Sequence, residues 1–197
     1  MHERQPAASG EFILGGQKSG KSRRAENLAR DWLAANGSHT AVLLATAVAG
    51  DDEMHARIER HRADRAHRLP GLRVVEVPQQ LGPAITEYSS ATALVVVDCV
   101  TMWLTNLLLP QVACPDDAAT AESGLARATG ALLAAIRSAP GPVVLVGNEI
   151  GLGVIPLGAA VRAFVDALGV LNQDLARTCA RVTWMVAGLP ITVKEAR

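Results

Sequence analysis

Gly15-Gly16-Gln17-Lys18-Ser19-Gly20-Lys21-Ser22 satisfies G-x-x-x-x-G-K-[ST] at every fixed position, and its flanks are of the right kind on both sides. Before it, Glu11 to Leu14 reads as a short strand. After it, Ala25, Leu28, Ala29, Trp32 and Leu33 recur at helical spacing, and Gly37 is a natural stop. At average residue frequencies the bare pattern arises by chance in roughly one chain of this size in a hundred, and the strand and helix flanks lower that further. The glycines let backbone N–H groups curl round phosphate oxygens, and the helix that follows turns its positive end to the same point. All eight residues are therefore candidate nucleotide contacts. Lys21 is the group for the β and γ phosphates, and the Ser22 hydroxyl is a ligand for Mg²⁺.

Outward from this loop the chain alternates short apolar runs with longer helical patterns. Thr40 to Ala47, Ala93 to Asp98 and Pro142 to Gly147 are continuous apolar runs, as expected of parallel strands covered on both faces. Arg73 to Val77 is a weaker strand that Pro78 ends, and Arg181 to Ala187 is a last one, with Ile191 to Val193 as a candidate antiparallel edge. Helices are predicted over Asp51 to His67, Thr101 to Leu109, Ala118 to Ala139 and Gly158 to Ala180, each long enough to cross between parallel strands. The pattern is that of an α/β, three-layer, P-loop NTPase-like (RecA-like) fold with a mostly parallel central sheet. Pro110 to Asp117 reads as an irregular loop, and residues 1–10 as a disordered extension before one domain over 11–197.

Composition sets limits on function. The 197 residues carry 19 Lys+Arg against 19 Asp+Glu and are 49% hydrophobic but only 3% aromatic. Zero formal charge argues against a surface that tracks a nucleic-acid backbone, and few rings are available for bases to stack on. A local cationic pocket remains compatible with both numbers. Cys99, Cys114 and Cys179 are widely spaced, without CxxC pairs, and read as reduced thiols of a cytoplasmic protein. No segment reaches the roughly 20 apolar residues of a membrane span, and the first ten residues lack a signal-peptide core.

Two further features carry chemistry. Asp98 ends an apolar strand at the C-terminal edge of a parallel sheet beside the phosphate loop, where a second nucleotide-site carboxylate belongs, placed to hold Mg²⁺ directly or through water. Glu149 has a similar address with less support. The segment from Asp51 to Arg65 begins acidic and becomes basic. On helical spacing Met54, Ile58 and His61 share one face, with Arg57 and Arg65 four residues to either side of His61. A neutral imidazole between guanidinium groups could attack phosphorus while the arginines bind its oxygens. From spacing alone, such a run reads first as a solvated helix face.

The sequence resembles the bifunctional adenosylcobinamide kinase / adenosylcobinamide-phosphate guanylyltransferase family of cobalamin biosynthesis, from about Phe12 to Lys194. The resemblance is carried by the phosphate loop, Asp52-Glu53-Met54 with Arg57-Ile58 and His61-Arg62, Asp98-Cys99-Val100-Thr101 with Thr105-Asn106-Leu107-Leu108, Asn148 to Pro156, and Asn172-Gln173. It implies that ATP or GTP phosphorylates the aminopropanol hydroxyl of adenosylcobinamide, that GMP from GTP then passes to the new phosphate through a guanylyl-histidine, and that this histidine is His61. It further implies nucleotide contacts at Thr46, Ala47 and Val48, at Arg62, Ala63, Asp64 and Arg65, and at Glu76 and Asp98, together with a homo-oligomer, a trimer. His55 and His67 fall outside the motif. Lys18 stands where the family commonly has Arg, and Val165 and Val170 replace arginines often seen there. Two other readings stay open at this point: another small-molecule P-loop kinase without a covalent intermediate, and a nucleotide-binding relative without catalysis.

Overall fold

The computed structural model describes residues 10–108 and 118–195. The expected loop over Pro110 to Asp117 and most of the expected N-terminal extension lie outside the described residues. Gly10, which the sequence reading places in that extension, pairs with Val143 in the sheet.

The chain runs β1 (Gly10–Gly15), α1 (Lys21–Ala35), β2 (Thr40–Ala45), α2 (Asp52–Arg68), β3 (Arg73–Glu76), α3 (Leu81–Tyr88), β4 (Ala93–Asp98), α4 (Val100–Leu108), α5 (Ala118–Ser138), β5 (Val143–Val146), α6 (Ala159–Thr178), β6 (Arg181–Val186) and β7 (Leu189–Lys194). The strands form one sheet in the order β3-β2-β4-β5-β1-β6-β7, parallel throughout except for β7. This is the three-layer P-loop fold that the sequence pattern implies. The antiparallel edge is also as expected, though longer than Ile191 to Val193.

Strand alternation explains why the strands read as unbroken apolar runs. Phe12, Leu14, Val42, Leu44, Val95, Val97, Val143 and Leu145 turn to one face and pack with residues of α3, α4, α5 and α6. Their neighbours Ile13, Ala41, Leu43, Leu94, Val96, Val144 and Val146 turn to the other face and meet Ala25 and Ala29 of α1. Trp103 of α4 is fully buried and donates its indole N–H to the Gln79 carbonyl at 2.6 Å, so its size costs no unpaired polar group. Among the described residues no helix is long and apolar enough to cross a membrane.

Helix α3 was not expected, because Gly82-Pro83 looks like a break. Pro83 falls in the first turn, where a missing N–H costs nothing. Gly82 is needed for close packing, since a Cβ there would lie 2.8 Å from the Ala131 backbone of α5.

The last strand also closes the last helix. Lys194 Nζ donates to the carbonyls of Ala176, Arg177 and Cys179 at 2.8, 3.1 and 2.7 Å, occupying orphan acceptors at the α6 terminus with the favoured sign of charge. Lys194→Met is expected to lower unfolding free energy by about 1–3 kcal/mol, the usual range for a charged hydrogen-bond donor. Urea denaturation checks this, and an unchanged midpoint would contradict it.

Candidate nucleotide and phosphoryl-transfer site

The turn from β1 into α1 depends on backbone that only glycine accepts without strain. Gly15 has φ +155°, and a Cβ there would sit 2.5 Å from the Met185 carbonyl oxygen and 2.6 Å from Ser19 Oγ. Gly20, at φ +101°, is the N-cap of α1. The Gly188 N–H donates to the Ser19 carbonyl at 3.0 Å, so the turn between β6 and β7 braces the loop from outside. Inside it, the buried Ser19 hydroxyl has no hydrogen-bond partner, an orphan that a phosphate oxygen would satisfy.

Lys21 is 7% exposed and donates to the Gly16 carbonyl at 2.7 Å. Burial lowers the pKa of its ammonium, while the nearby Asp98 carboxylate opposes that shift. Phosphate oxygens are stronger acceptors than that carbonyl, so the lysine is free to exchange partners when a nucleotide enters. Cys99 is itself an inert thiol, pushed up to about 11, first by burial and then by the Asp98 carboxylate.

Across the sheet edge, Ser22 Oγ donates to Asp98 Oδ1 at 3.3 Å. Hydroxyl and carboxylate are hard oxygen donors, and two of them beside a phosphate loop fit Mg²⁺, which keeps waters and takes substrate phosphates as its other ligands. Among the described residues no group of three or more His, Cys, Asp and Glu could cage a metal without such help. The other oxygen, Asp98 Oδ2, faces Arg65 NH2 at 3.4 Å, and Arg65 Nε lies 3.6 Å from Glu26 on α1.

The loop, Asp98 and α2 line one cavity of about 1510 Å³. Its described lining has nine Lys and Arg against five Asp and Glu and no Phe, Trp or Tyr. A neutral, aromatic-poor chain thus concentrates positive charge where an anion would bind.

Of the expected contacts, Gln17 to Ser22, Ala47, Val48, Arg62, Arg65, Glu76 and Asp98 line this cavity. Gly15 and Gly16 shape the loop behind it, and Ala63 faces solvent. Arg62 and Glu76, expected as two separate contacts, bind each other between α2 and β3, and Arg62 also holds Glu59 at 2.8 Å. Arg65 is buried, with its guanidinium against the carboxylates of Glu26 and Asp98. The side chains of Arg57, His61 and Asp64 lie outside the described ones. Position 61 follows Ile58 by three residues and precedes Arg65 by four on α2, and both neighbours line the cavity. Val170 is exposed on α6 and Val165 is half buried.

Thr46 differs from expectation. It is 0% exposed, and its hydroxyl donates to the Cys99 carbonyl at 2.7 Å and accepts from the Cys99 N–H at 2.9 Å. Its own carbonyl accepts from Asn106 Nδ2 at 2.7 Å. Thr46 therefore fixes the backbone just after Asp98. Glu149 is turned into its own loop, accepting from the Gly151 N–H at 2.8 Å.

Several residues that build the site were not singled out for it. Glu26 could have been found, since it follows Ser22 by four on α1 and so shares its face. Asn106 cross-links the ends of β2 and β3 by donating to Thr46 and Pro78, while Asn172 holds the Asn148 carbonyl at 3.2 Å. Nothing local in the sequence signals such long-range braces.

A strand, a glycine loop whose lysine and serine open a helix, and a facing carboxylate define a P-loop nucleotide-binding protein. Comparison with known proteins narrows the class. The family model described as cobinamide kinase / cobinamide phosphate guanyltransferase matches residues 11–193. The bifunctional adenosylcobalamin biosynthesis protein CobP of Pseudomonas aeruginosa is 44% identical over 185 residues, covering 93% of this chain and 96% of that protein. Its counterparts named CobU in Escherichia coli and Salmonella typhimurium are 36% and 34% identical, each covering 93% of this chain and 98% of theirs. The chain belongs to this family of bifunctional kinase and guanylyltransferase enzymes.

Gly15→Ala is expected to weaken nucleotide binding by more than about tenfold, because the loop backbone must move away from Met185 before it can enclose a phosphate. Calorimetric titration with ATP checks this, and a wild-type Kd would contradict it.

Proposed function

We propose that the chain phosphorylates the aminopropanol hydroxyl of adenosylcobinamide with ATP or GTP, then transfers GMP from GTP to the resulting adenosylcobinamide phosphate through a guanylyl group on His61. The observation that most supports this is one cavity lined both by the phosphate loop and by the arginines of α2. At about 1510 Å³ it exceeds the roughly 300–1,000 Å³ usual for a small-molecule site, leaving room for a nucleotide and the phosphorylated arm of a second substrate.

In the first step the substrate hydroxyl oxygen attacks the γ phosphorus. The bond to the β–γ bridging oxygen breaks, a nucleoside diphosphate leaves, and the hydroxyl proton passes to solvent. Loop N–H groups and Lys21 hold the phosphates in line and offset the charge, which is most of what such catalysis needs. Mg²⁺, held by Ser22 and Asp98, would supply further neutralisation of the β and γ oxygens.

In the second step an unprotonated ring nitrogen of His61 attacks the α phosphorus of GTP and pyrophosphate leaves. A phosphate oxygen of the acceptor then attacks the same phosphorus and the P–N bond breaks, giving adenosylcobinamide-GDP and free His61. Arg60 and Arg62 adjoin that position on α2 and Arg65 follows it by four residues, and all three line the cavity. For Arg62 to take phosphate it must leave Glu76, so this reading includes opening of that ion pair.

We further propose that residues 11–197 act as one domain in the cytoplasm and assemble as a homo-oligomer, a trimer by family resemblance. Leu152, Val154 and Leu157, at 76%, 96% and 98% exposed, form an apolar stretch of the kind that subunit contacts cover.

His61→Ala is expected to abolish covalent labelling of the protein by α-labelled GTP while ATP-dependent phosphorylation of cobinamide stays within about threefold of wild type. A denaturing gel and product analysis read the two arms, and label retained on the variant would defeat the assignment. Lys21→Ala is expected to lower both activities by at least about a hundredfold, the scale of losing one preorganised charge at developing anionic oxygens. Steady-state turnover at saturating nucleotide measures it, and wild-type rates would remove the loop from the mechanism.

A further inference from the structure

Between α1, α2 and β4 runs a line of charges that ends on Asp98 and includes Glu26 and Arg68, which neither step uses. Glu26 is 6% exposed, and the Arg65 and Asp98 side chains are 8% and 18% exposed. The Arg65 guanidinium sits between the two carboxylates, with Nε 3.6 Å from Glu26 Oε1 and NH2 3.4 Å from Asp98 Oδ2. Arg68 NH2 reaches Glu26 Oε2 at 3.0 Å. Arg65 Nε makes no directed hydrogen bond, so charge rather than a fixed contact holds this part of the guanidinium.

The geometry divides Asp98 in two. Oδ1 faces Ser22 at 3.3 Å, and Oδ2 faces Arg65. A guanidinium prefers to take a carboxylate with both forks, and if Arg65 did so here it would occupy the oxygen that faces Ser22. The opposing attraction comes from Glu26, which is tied to the phosphate loop's own helix four residues after Ser22. Lys21 acts on Asp98 from the loop side whether or not Glu26 is charged.

We infer that Glu26 is a positioning residue that holds Arg65 off the Ser22-facing oxygen of Asp98, and so sets how readily the site takes a divalent cation with its nucleotide. This rests on the reading of Ser22 and Asp98 as the Mg²⁺ ligands. It also couples α1 to α2, because the anchor on the kinase helix fixes an arginine of the helix that carries His61.

The test is fluorescence titration of the full chain with N-methylanthraniloyl-ATP across Mg²⁺ concentrations, which reads binding without turnover. Glu26→Gln keeps shape and removes charge. It is expected to raise the half-saturating Mg²⁺ about three- to tenfold, the scale of coupling between contacting charges, with affinity in EDTA unchanged within about twofold. Adding Arg65→Met to Glu26→Gln removes the competitor and is expected to bring the Mg²⁺ requirement back towards wild type. Arg68→Met, at a half-exposed position, frees Glu26 to hold Arg65 more firmly and is expected to lower the requirement about twofold, which decides the matter even if Glu26→Gln fails to fold. An unchanged requirement in Glu26→Gln, or an unchanged or raised one in Arg68→Met, would overturn the inference alone. Binding by the unmodified protein that ignores Mg²⁺ would overturn the metal reading and the inference together.

Discussion

Asp98 offers one carboxylate oxygen to Ser22 of the phosphate loop and the other to Arg65 of α2, and the layout of the site follows from that division. The carboxylate ends β4, in the middle of the sheet, with β5 between it and the phosphate-loop strand β1. From there it reaches one helix on each side of the nucleotide cavity. Drawing charges out of water is costly unless signs alternate, and here they do: Asp98, Arg65 and Glu26 follow one another inward of Arg68, which is half exposed. The arrangement fixes the spacing of α1 and α2, so the helix that supplies the loop lysine and the helix that supplies position 61 face one volume.

Rigid backbone supports this cluster from below. Thr46 clamps the residue after Asp98, Asn106 joins the ends of β2 and β3, and Asn172 holds the loop after β5. These side chains bond backbone rather than substrate. They satisfy polar groups at the strand ends and keep the loops that line the cavity in register with the sheet. The walls themselves are cationic and aliphatic, and offer a ligand charge, backbone and Met, Val and Ile surface.

Much of this was legible in the sequence, for physical reasons. Strands such as Ala93–Asp98 are covered on both faces and so read as continuous apolar runs, and the loop motif sits where a strand meets a helix. Helix α3 was hidden because Gly82 and Pro83 resemble a break unless the helix phase and the nearby α5 backbone are known. Thr46 and Arg65 sit in motif positions, yet their partners are 53 and 33 residues away, and spacing cannot reveal contacts that only folding creates. Arg62 shows the same limit, since nothing in the sequence pairs it with Glu76 on β3.

On the proposed mechanism, one cavity carries a nucleotidyl group on α2 and hands it to a phosphate made in the same place. The most direct measurement is a chase: protein labelled with α-labelled GTP is freed of nucleotide and mixed with adenosylcobinamide phosphate. Label is expected to leave the protein and appear, mole for mole, in adenosylcobinamide-GDP. Label that stays on the protein, or is released only as GMP, would contradict it.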